Sequence, residues 1–213
     1  RSEEQDPAFS PPDELPILPL RGLVVYPQTA VPLTIGQPRS IRLIDDVAST
    51  DQRLIGLLAS KNPDIETPGV DDLYEIGTIA MVHRLFRAPD GTIRLLVQGI
   101  NRFQINEYTQ SEPYLKAKIS LHPEIVESGI EVAALSRNAR DQFEHIATLM
   151  PSIPQELVAS VTAIQDPLQT TYTIANFQRM DLGDAQTLLE LDSLMDKLRK
   201  LVSILTRESE VLD

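Results

Sequence analysis

The sequence predicts an α+β fold, in which a β-rich twisted sheet or partly closed barrel with one crossing helix precedes a helical bundle ending in a long helix. Three observations predict it. Up to about Leu121, short apolar runs alternate with polar residues and are broken by Pro, Gly and acidic turns, the period-two signature of strands. After Glu124 the apolar spacing changes to three and four residues, the period of helices. Between Pro38 and Ala48 a single helical stretch interrupts the strands. The expected organisation is a disordered leader over 1–14, a β-rich subdomain over 15–123 and a helical bundle over 124–213.

The leader carries Glu3, Glu4, Asp6, Asp13 and Glu14 with Pro7, Pro11 and Pro12, and Phe9 is its only large hydrophobe. Such a stretch buries too little apolar surface to offset its ordering entropy. In Leu15–Leu20, Pro16 and Pro19 deny ladder donors, so an edge or a strand start is expected. Leu23–Tyr26 and Val31–Ile35 read as strands separated by a turn at Pro27. Gly36 ends the second, and Pro38 opens a helix whose Ile41, Ile44, Val47 and Ala48 share a face.

Arg53–Ala59 reads as a buried strand, and Lys61–Asp72, with Pro63, Pro68 and Gly69 among acids, as a long loop. Gly77–Ala88 and Thr92–Gln98 flank Pro89-Asp90-Gly91, the clearest hairpin signal in the chain. Further strands are expected at Arg102–Tyr108 and Tyr114–Leu121. Several short strands with one crossing helix suggest the twisted sheet or partial barrel.

In the second half, Ser128 and Glu131 have the spacing of a capping box and open a helix to Met150 through Val132, Leu135, Ala139, Phe143 and Ile146. Ser152 and Pro154 start another, ending near Ile164. Asp166 followed by Pro167 reads as an N-cap and an N1 proline, opening a helix to about Phe177. Asp184 starts a short helix, and Asp192 or Ser193 caps the last. There Leu191, Leu194, Leu198, Leu201 and Leu205 form a stripe of barely two heptads, read as a bundle-packing face rather than a coiled coil. The stripe runs toward the end of the sequence without a C-cap glycine or proline, and is read as a helix cut short.

The chemistry is mostly negative. A net charge of −12 with scattered Lys and Arg argues against nucleic acid, whose phosphates need clustered cations. No apolar run approaches the ~18 residues of a membrane span. The absence of cysteine removes disulfides and thiolate catalysis and sits easily with a reducing cytosol, so a cytoplasmic location is expected. No phosphate-cradling glycine loop, Rossmann glycine triplet or His-Glu-x-x-His motif occurs, and His83, His122 and His145 lie far apart. Asp45-Asp46 and Asp71-Asp72 are adjacent pairs that cannot face each other, and Ser60-Lys61 lacks an oxyanion pattern nearby. No catalytic, cofactor-binding or metal-ligating residue is therefore assigned.

Apolar residues in turn regions are the positive signal. Leu85 and Phe86 precede the Pro89-Asp90-Gly91 turn, and Pro32 and Leu33 follow the Pro27 turn. These four form the candidate apolar binding patch, because clustered exposed hydrophobes mark interaction surfaces.

The order of motifs resembles the Lon protease N-terminal domain family. Leu15-Pro-Ile-Leu-Pro-Leu-Arg-Gly-Leu-Val-Val-Tyr-Pro27, Val31-Pro-Leu-Thr-Ile-Gly36 with Arg39-Ser40, Pro68-Gly-Val-Asp-Asp-Leu-Tyr-Glu-Ile-Gly-Thr78, Ala88-Pro-Asp-Gly91 and Val97-Gln-Gly-Ile-Asn-Arg102 carry it, continuing to Ile153-Pro154 and Asp166-Pro167. Standalone members of the family have Phe-Glu-Pro-Arg-Tyr before the first helix; here Ile35-Gly-Gln-Pro-Arg39 resembles the full protease. The last helix has Met195-Asp196-Lys197 where a Glu-Arg pair is often seen. The resemblance implies a substrate-recognition domain for unfolded or damaged proteins, not itself an enzyme. In the parent, an AAA+ ATPase using ATP and Mg and a serine-lysine peptidase would lie beyond Asp213, in a homohexamer. A structural module of that hexamer and a standalone adaptor are the alternatives.

Overall fold

The computed structural model describes residues 9–212. Of the expected leader, residues 1–8 lie outside that range; Phe9 is half-buried and packs against a core cluster that includes Leu15, Ile17 and Phe103.

Six strands and six α-helices follow: β1 (Glu14–Leu20), β2 (Ala30–Ile35), α1 (Pro38–Ala48), β3 (Leu54–Ala59), β4 (Ile76–Arg87), β5 (Ile93–Gln110), β6 (Lys116–Leu121), α2 (Ile130–Thr148), α3 (Gln155–Thr162), α4 (Pro167–Phe177), α5 (Leu182–Glu190) and α6 (Leu194–Leu212). β1 pairs with β3 in parallel, and all other pairings are antiparallel. Because β5 pairs with β6 as well as β4, the strands β1, β3, β4, β5 and β6 close into a ring. The distal halves of β4 and β5 extend beyond the ring and carry β2 along the outer side of β5 as a three-stranded arm.

The expectation of an edge position for β1 is corrected: it lies between β3 and β6. Its two prolines are tolerated by how its neighbours divide it. β6 pairs with Glu14–Pro16, whereas β3 pairs with Ile17–Leu20. Ile17 N–H points to the β6 side, donating to Leu115 O at 2.8 Å, and Leu20 O points to β3, accepting from Ser60 N. Alternation therefore turns the backbone of Pro16 toward β3 ahead of its ladder, and that of Pro19 toward β6 beyond its ladder. Neither missing N–H breaks a ladder bond.

The two strands expected at Thr92–Gln98 and Arg102–Tyr108 are one 18-residue strand, β5. Gly99, in the gap between the two expected strands, serves a close approach: a Cβ there would lie 2.3 Å from Tyr26 O. Register shifts against β4 and β6 let the long strand bend around the ring. The hairpin between β4 and β5 forms as expected, with Ala88 N donating to Thr92 O and Gly91 at φ +88.

Alternation divides the strand side chains between two cores. Inside the ring, Ile17, Leu58, Ile79, Phe103 and Ile119 meet, and Gly56 leaves the room that Ile17 and Phe103 fill. On the other side, Leu18, Ile55, Leu57, Val82, Leu33, Ile35, Leu95 and Val97 pack against Leu43, Ile44 and Val47 of α1. A third core belongs mainly to the helices, and its seam is the expected leucine stripe: Leu194, Leu198, Leu201 and Leu205 are fully buried against α2 and α4.

Asp166 caps α4, its Oδ2 accepting from Gln169 N at 2.9 Å, with Pro167 at N1. Ser193, not Asp192, caps α6, its Oγ accepting from Asp196 N. The capping box expected at Ser128 does not form. α2 starts after Gly129, whose φ of +119 Ser128 could not supply without strain, and no side chain caps it.

Candidate functional site

The arm presents a face that α1 does not cover. Register fixes its layout in two rows: Pro32, Leu96 and Arg84 lie opposite one another across β2, β5 and β4, and so do Thr34, Arg94 and Phe86. Neighbours within a row are about 5 Å apart, and successive same-face residues along a strand about 7 Å. Two guanidinium groups thus lie on one diagonal and Phe86 and Leu96 on the other. Phe86 is 60% exposed and Pro32 also lies open to solvent. A shallow groove of 520 Å³ runs over this face. A second, of 380 Å³, lies between β2 and the end of β1, and Pro32 and Thr34 form the rim between the two.

Of the four residues singled out from the sequence, Pro32 and Phe86 share this face. Leu33 points into the core beneath at 7% exposure, and Leu85 is half-buried against the same core. The period of two separates each adjacent pair, one residue in and one out. The same period would have found Arg84 and Arg94, two residues from Phe86 and Leu96. Thr29 O accepts from Gly99 N at 2.8 Å, so the backbone of Val31, Leu33 and Ile35 faces β5 and that of Pro32 faces the free side. A proline there offers no N–H to an added strand, which disfavours strand addition at the centre of this edge.

A polar joint ties β5 to the helices. Arg102, wholly buried, reaches the carbonyls of Leu189, Glu190 and Leu191 with Nη1 at 2.9–3.2 Å, Asp192 Oδ1 with Nη2 at 2.9 Å, and His122 O with Nε at 3.0 Å. Its Nε lies 3.5 Å from the Glu124 carboxylate. Lys197, also buried, donates to Leu188 O at 2.7 Å and Leu189 O at 2.9 Å. Two cations thereby satisfy the orphan carbonyls ending α5, where the helix dipole is negative. Tyr172 donates to Glu124 at 3.0 Å and stacks on Tyr26 at 5.5 Å, while Tyr26 donates to Ala185 O at 2.9 Å.

Burial governs the titration of this joint. Desolvation, and then Arg102 nearby, push the Lys197 ammonium down to about 7. Desolvation, and then the Glu124 charge, hold the Tyr172 hydroxyl far above its ordinary value. Hydrogen bonding from Arg102 keeps the Asp192 carboxyl below the usual range. Nothing in the spacing of Arg102, Glu124, Tyr172 and Lys197 announces that they converge, because they come from four separate elements.

The hydroxyl–carboxylate contacts at the joint are structural: Tyr172 bonds Glu124 with its hydroxyl held far above its ordinary value by burial, and Ser193 bonds Glu127 while capping α6. His122 bonds Asp192 at 2.9 Å, but both belong to the joint. Among the described residues no three His, Cys, Asp or Glu side chains gather as metal ligands, and no helix is long and apolar enough to cross a membrane. The sequence holds no glycine-rich phosphate cradle of the P-loop kind.

Residues 14–207 match the family model described as the ATP-dependent protease La (LON) substrate-binding domain. Lon protease 1 of Herpetosiphon aurantiacus is 45% identical over 205 residues, covering 94% of this chain and 25% of that protein. Lon protease of Dictyoglomus thermophilum is 41% identical over 202 residues, covering 95% of this chain and 25% of its own length. The chain spans about a quarter of the length of the curated relatives it matches. The N-terminal domain of the Mycobacterium avium complex Lon protease shares the fold at a TM-score of 0.70 and 22% identity, over 91% of this chain and 98% of that one. A Lon N-terminal domain protein from Xanthomonas campestris does so at 0.62 and 17%, over 89% and 97%.

Proposed function

The chain belongs to the family of Lon substrate-binding domains, and from that premise we propose that it captures unfolded or damaged proteins on the outer face of its β2–β5–β4 arm. The observation that carries the reading is Phe86, 60% exposed on the same sheet face as Leu96 and Pro32. Apolar contact without a backbone ladder suits loose, sequence-tolerant recognition. The rest of the parent would supply an AAA+ ATPase working with ATP and Mg and a serine-lysine peptidase, in a cytoplasmic homohexamer. Copies of the arm on one ring would gain avidity while each contact stayed weak enough to release the chain.

The test is binding of reduced, alkylated α-lactalbumin to the wild-type chain and to Phe86→Ser. The variant should bind several-fold more weakly with an unchanged circular dichroism spectrum, because an exposed side chain contributes little to folding. Equal binding would remove this face as the capture site.

The buried joint favours a second reading, a rigid module that chiefly spaces or assembles the hexamer. Crosslinks from an unfolded substrate confined to the ATPase pore of the parent would support it against capture.

A further inference from the structure

Resting on the docking role proposed above, we propose that the arm selects extended segments in which Asp or Glu side chains flank apolar ones, with Arg84 and Arg94 receiving the carboxylates while Phe86, Leu96 and Pro32 receive the apolar groups. The layout supports this directly. Phe86 faces Arg94 across the ladder, and Leu96 faces Arg84, so these two apolar groups each have a cation as neighbour, while Pro32 extends the apolar row beside Leu96.

The two cations are also free to act. Several other arginines are engaged: Arg87 with Asp45, Arg39 with Glu112, Arg102 with Asp192, Arg199 with Glu131. Arg84 and Arg94 are exposed and hold no ion pair or side-chain hydrogen bond among the described residues. Asp90, the carboxylate whose field reaches Arg94, forms no ion pair with it; its Oδ1 accepts from Thr92 N at 3.0 Å and Thr92 Oγ1 at 2.7 Å. A guanidinium fork left open next to an apolar surface is suited to a carboxylate.

Charge complementarity makes the inference selective. The chain carries −12 overall, so an acidic segment is repelled by its average surface and gains attraction only where cations stand unpaired. A basic segment would be drawn to many acidic places on the molecule but meets two like charges on this face. Strand addition at β2 is disfavoured, since Pro32 removes the central donor of that edge.

The experiment uses amide NMR spectra of the chain titrated with three unstructured peptides. They differ only in whether their apolar residues are interspersed with glutamate, glutamine or lysine. The expected result is a set of shifts at Thr34, Arg84, Phe86, Arg94 and Leu96, with affinity falling from glutamate through glutamine to lysine. Two exposed charge contacts, each worth about two- to fivefold, give roughly a tenfold step from glutamate to glutamine, and like-charge repulsion gives a further step to lysine. The double variant Arg84→Gln/Arg94→Gln should keep the glutamine peptide's affinity and lose the order, and Arg84→Glu/Arg94→Glu should reverse it. All four substitutions are at exposed positions, and an unchanged circular dichroism spectrum verifies the fold. Shifts on this face with no charge order would overturn the selectivity and leave the docking role standing. No shifts on this face from any peptide would overturn both. Shifts there that grow with protein concentration alone would identify a second copy as the occupant and overturn the proposal.

Discussion

Replacing Arg102 by Met should cost about 4 kcal/mol of folding stability, because removing one partner of a buried ion pair leaves the other uncompensated. The structure indicates which partner sets the size. Asp192 has a side chain 52% exposed and rehydrates, so its share is that of a surface pair, at most about 1 kcal/mol. Glu124 has a side chain 8% exposed and cannot rehydrate, and the carbonyls of Leu189 and Glu190 lose a donor with it. With a urea slope of about 2 kcal/mol/M, the unfolding midpoint should fall by about 2 M. The chain has no Trp and five Tyr, two of which stack at the joint, so near-ultraviolet dichroism reads this place while far-ultraviolet dichroism reads the whole fold. Arg102→Lys should recover some of the loss, since one ammonium restores the charge but not the planar fork. A loss for Arg102→Met below about 1 kcal/mol, the value of an exposed pair, would refute the reasoning.

Two further outcomes follow from neighbouring features. Lys197 binds a proton less readily folded than unfolded, so the unfolded state holds more protons between about pH 7 and 10, and stability rises with pH across that window. Relative to Lys197→Met, which does not titrate there, the wild-type chain should gain about 3 kcal/mol between pH 7 and 9.5 and change little below 7; a flat difference in urea melts would contradict the assignment. Gly99→Ala would force a Cβ to 2.3 Å from Tyr26 O and should cost about 2–4 kcal/mol, whereas Gly183→Ala on α5 meets nothing within 4 Å and should stabilise by up to about 1 kcal/mol in thermal melts.

Local signals carried much of the fold, and their failures share a cause. Pro89-Asp90-Gly91, Asp166-Pro167 and the leucine stripe each encode their structure within a few residues, and each forms as expected except that Leu191 lies before α6, at the end of α5. The edge assignment of β1 failed because its prolines are accommodated by two neighbours that take different halves of the strand. The break expected near Gly99 failed because that glycine answers to Tyr26, distant in sequence. On the arm, the sequence located the hairpin and its apolar residues. Which of Leu85 and Phe86 faces out depends on where α1 packs, and this no local pattern contains. The joint was wholly illegible, since its meaning lies in distances between Arg102, Glu124, Tyr172 and Lys197.

β5 supplies Arg94 and Leu96 to the outer face and, eight residues beyond Arg94, Arg102 to the joint, without a loop between them. A hold on the arm is therefore mechanically in series with α5 and α6 through one taut member about 25 Å long. Tension along that member loads the β4 and β5 ladder bonds in shear, so they share the force together instead of unzipping in succession. If the arm captures substrate as proposed, a tug on it would be borne by the whole β4–β5 ladder at once.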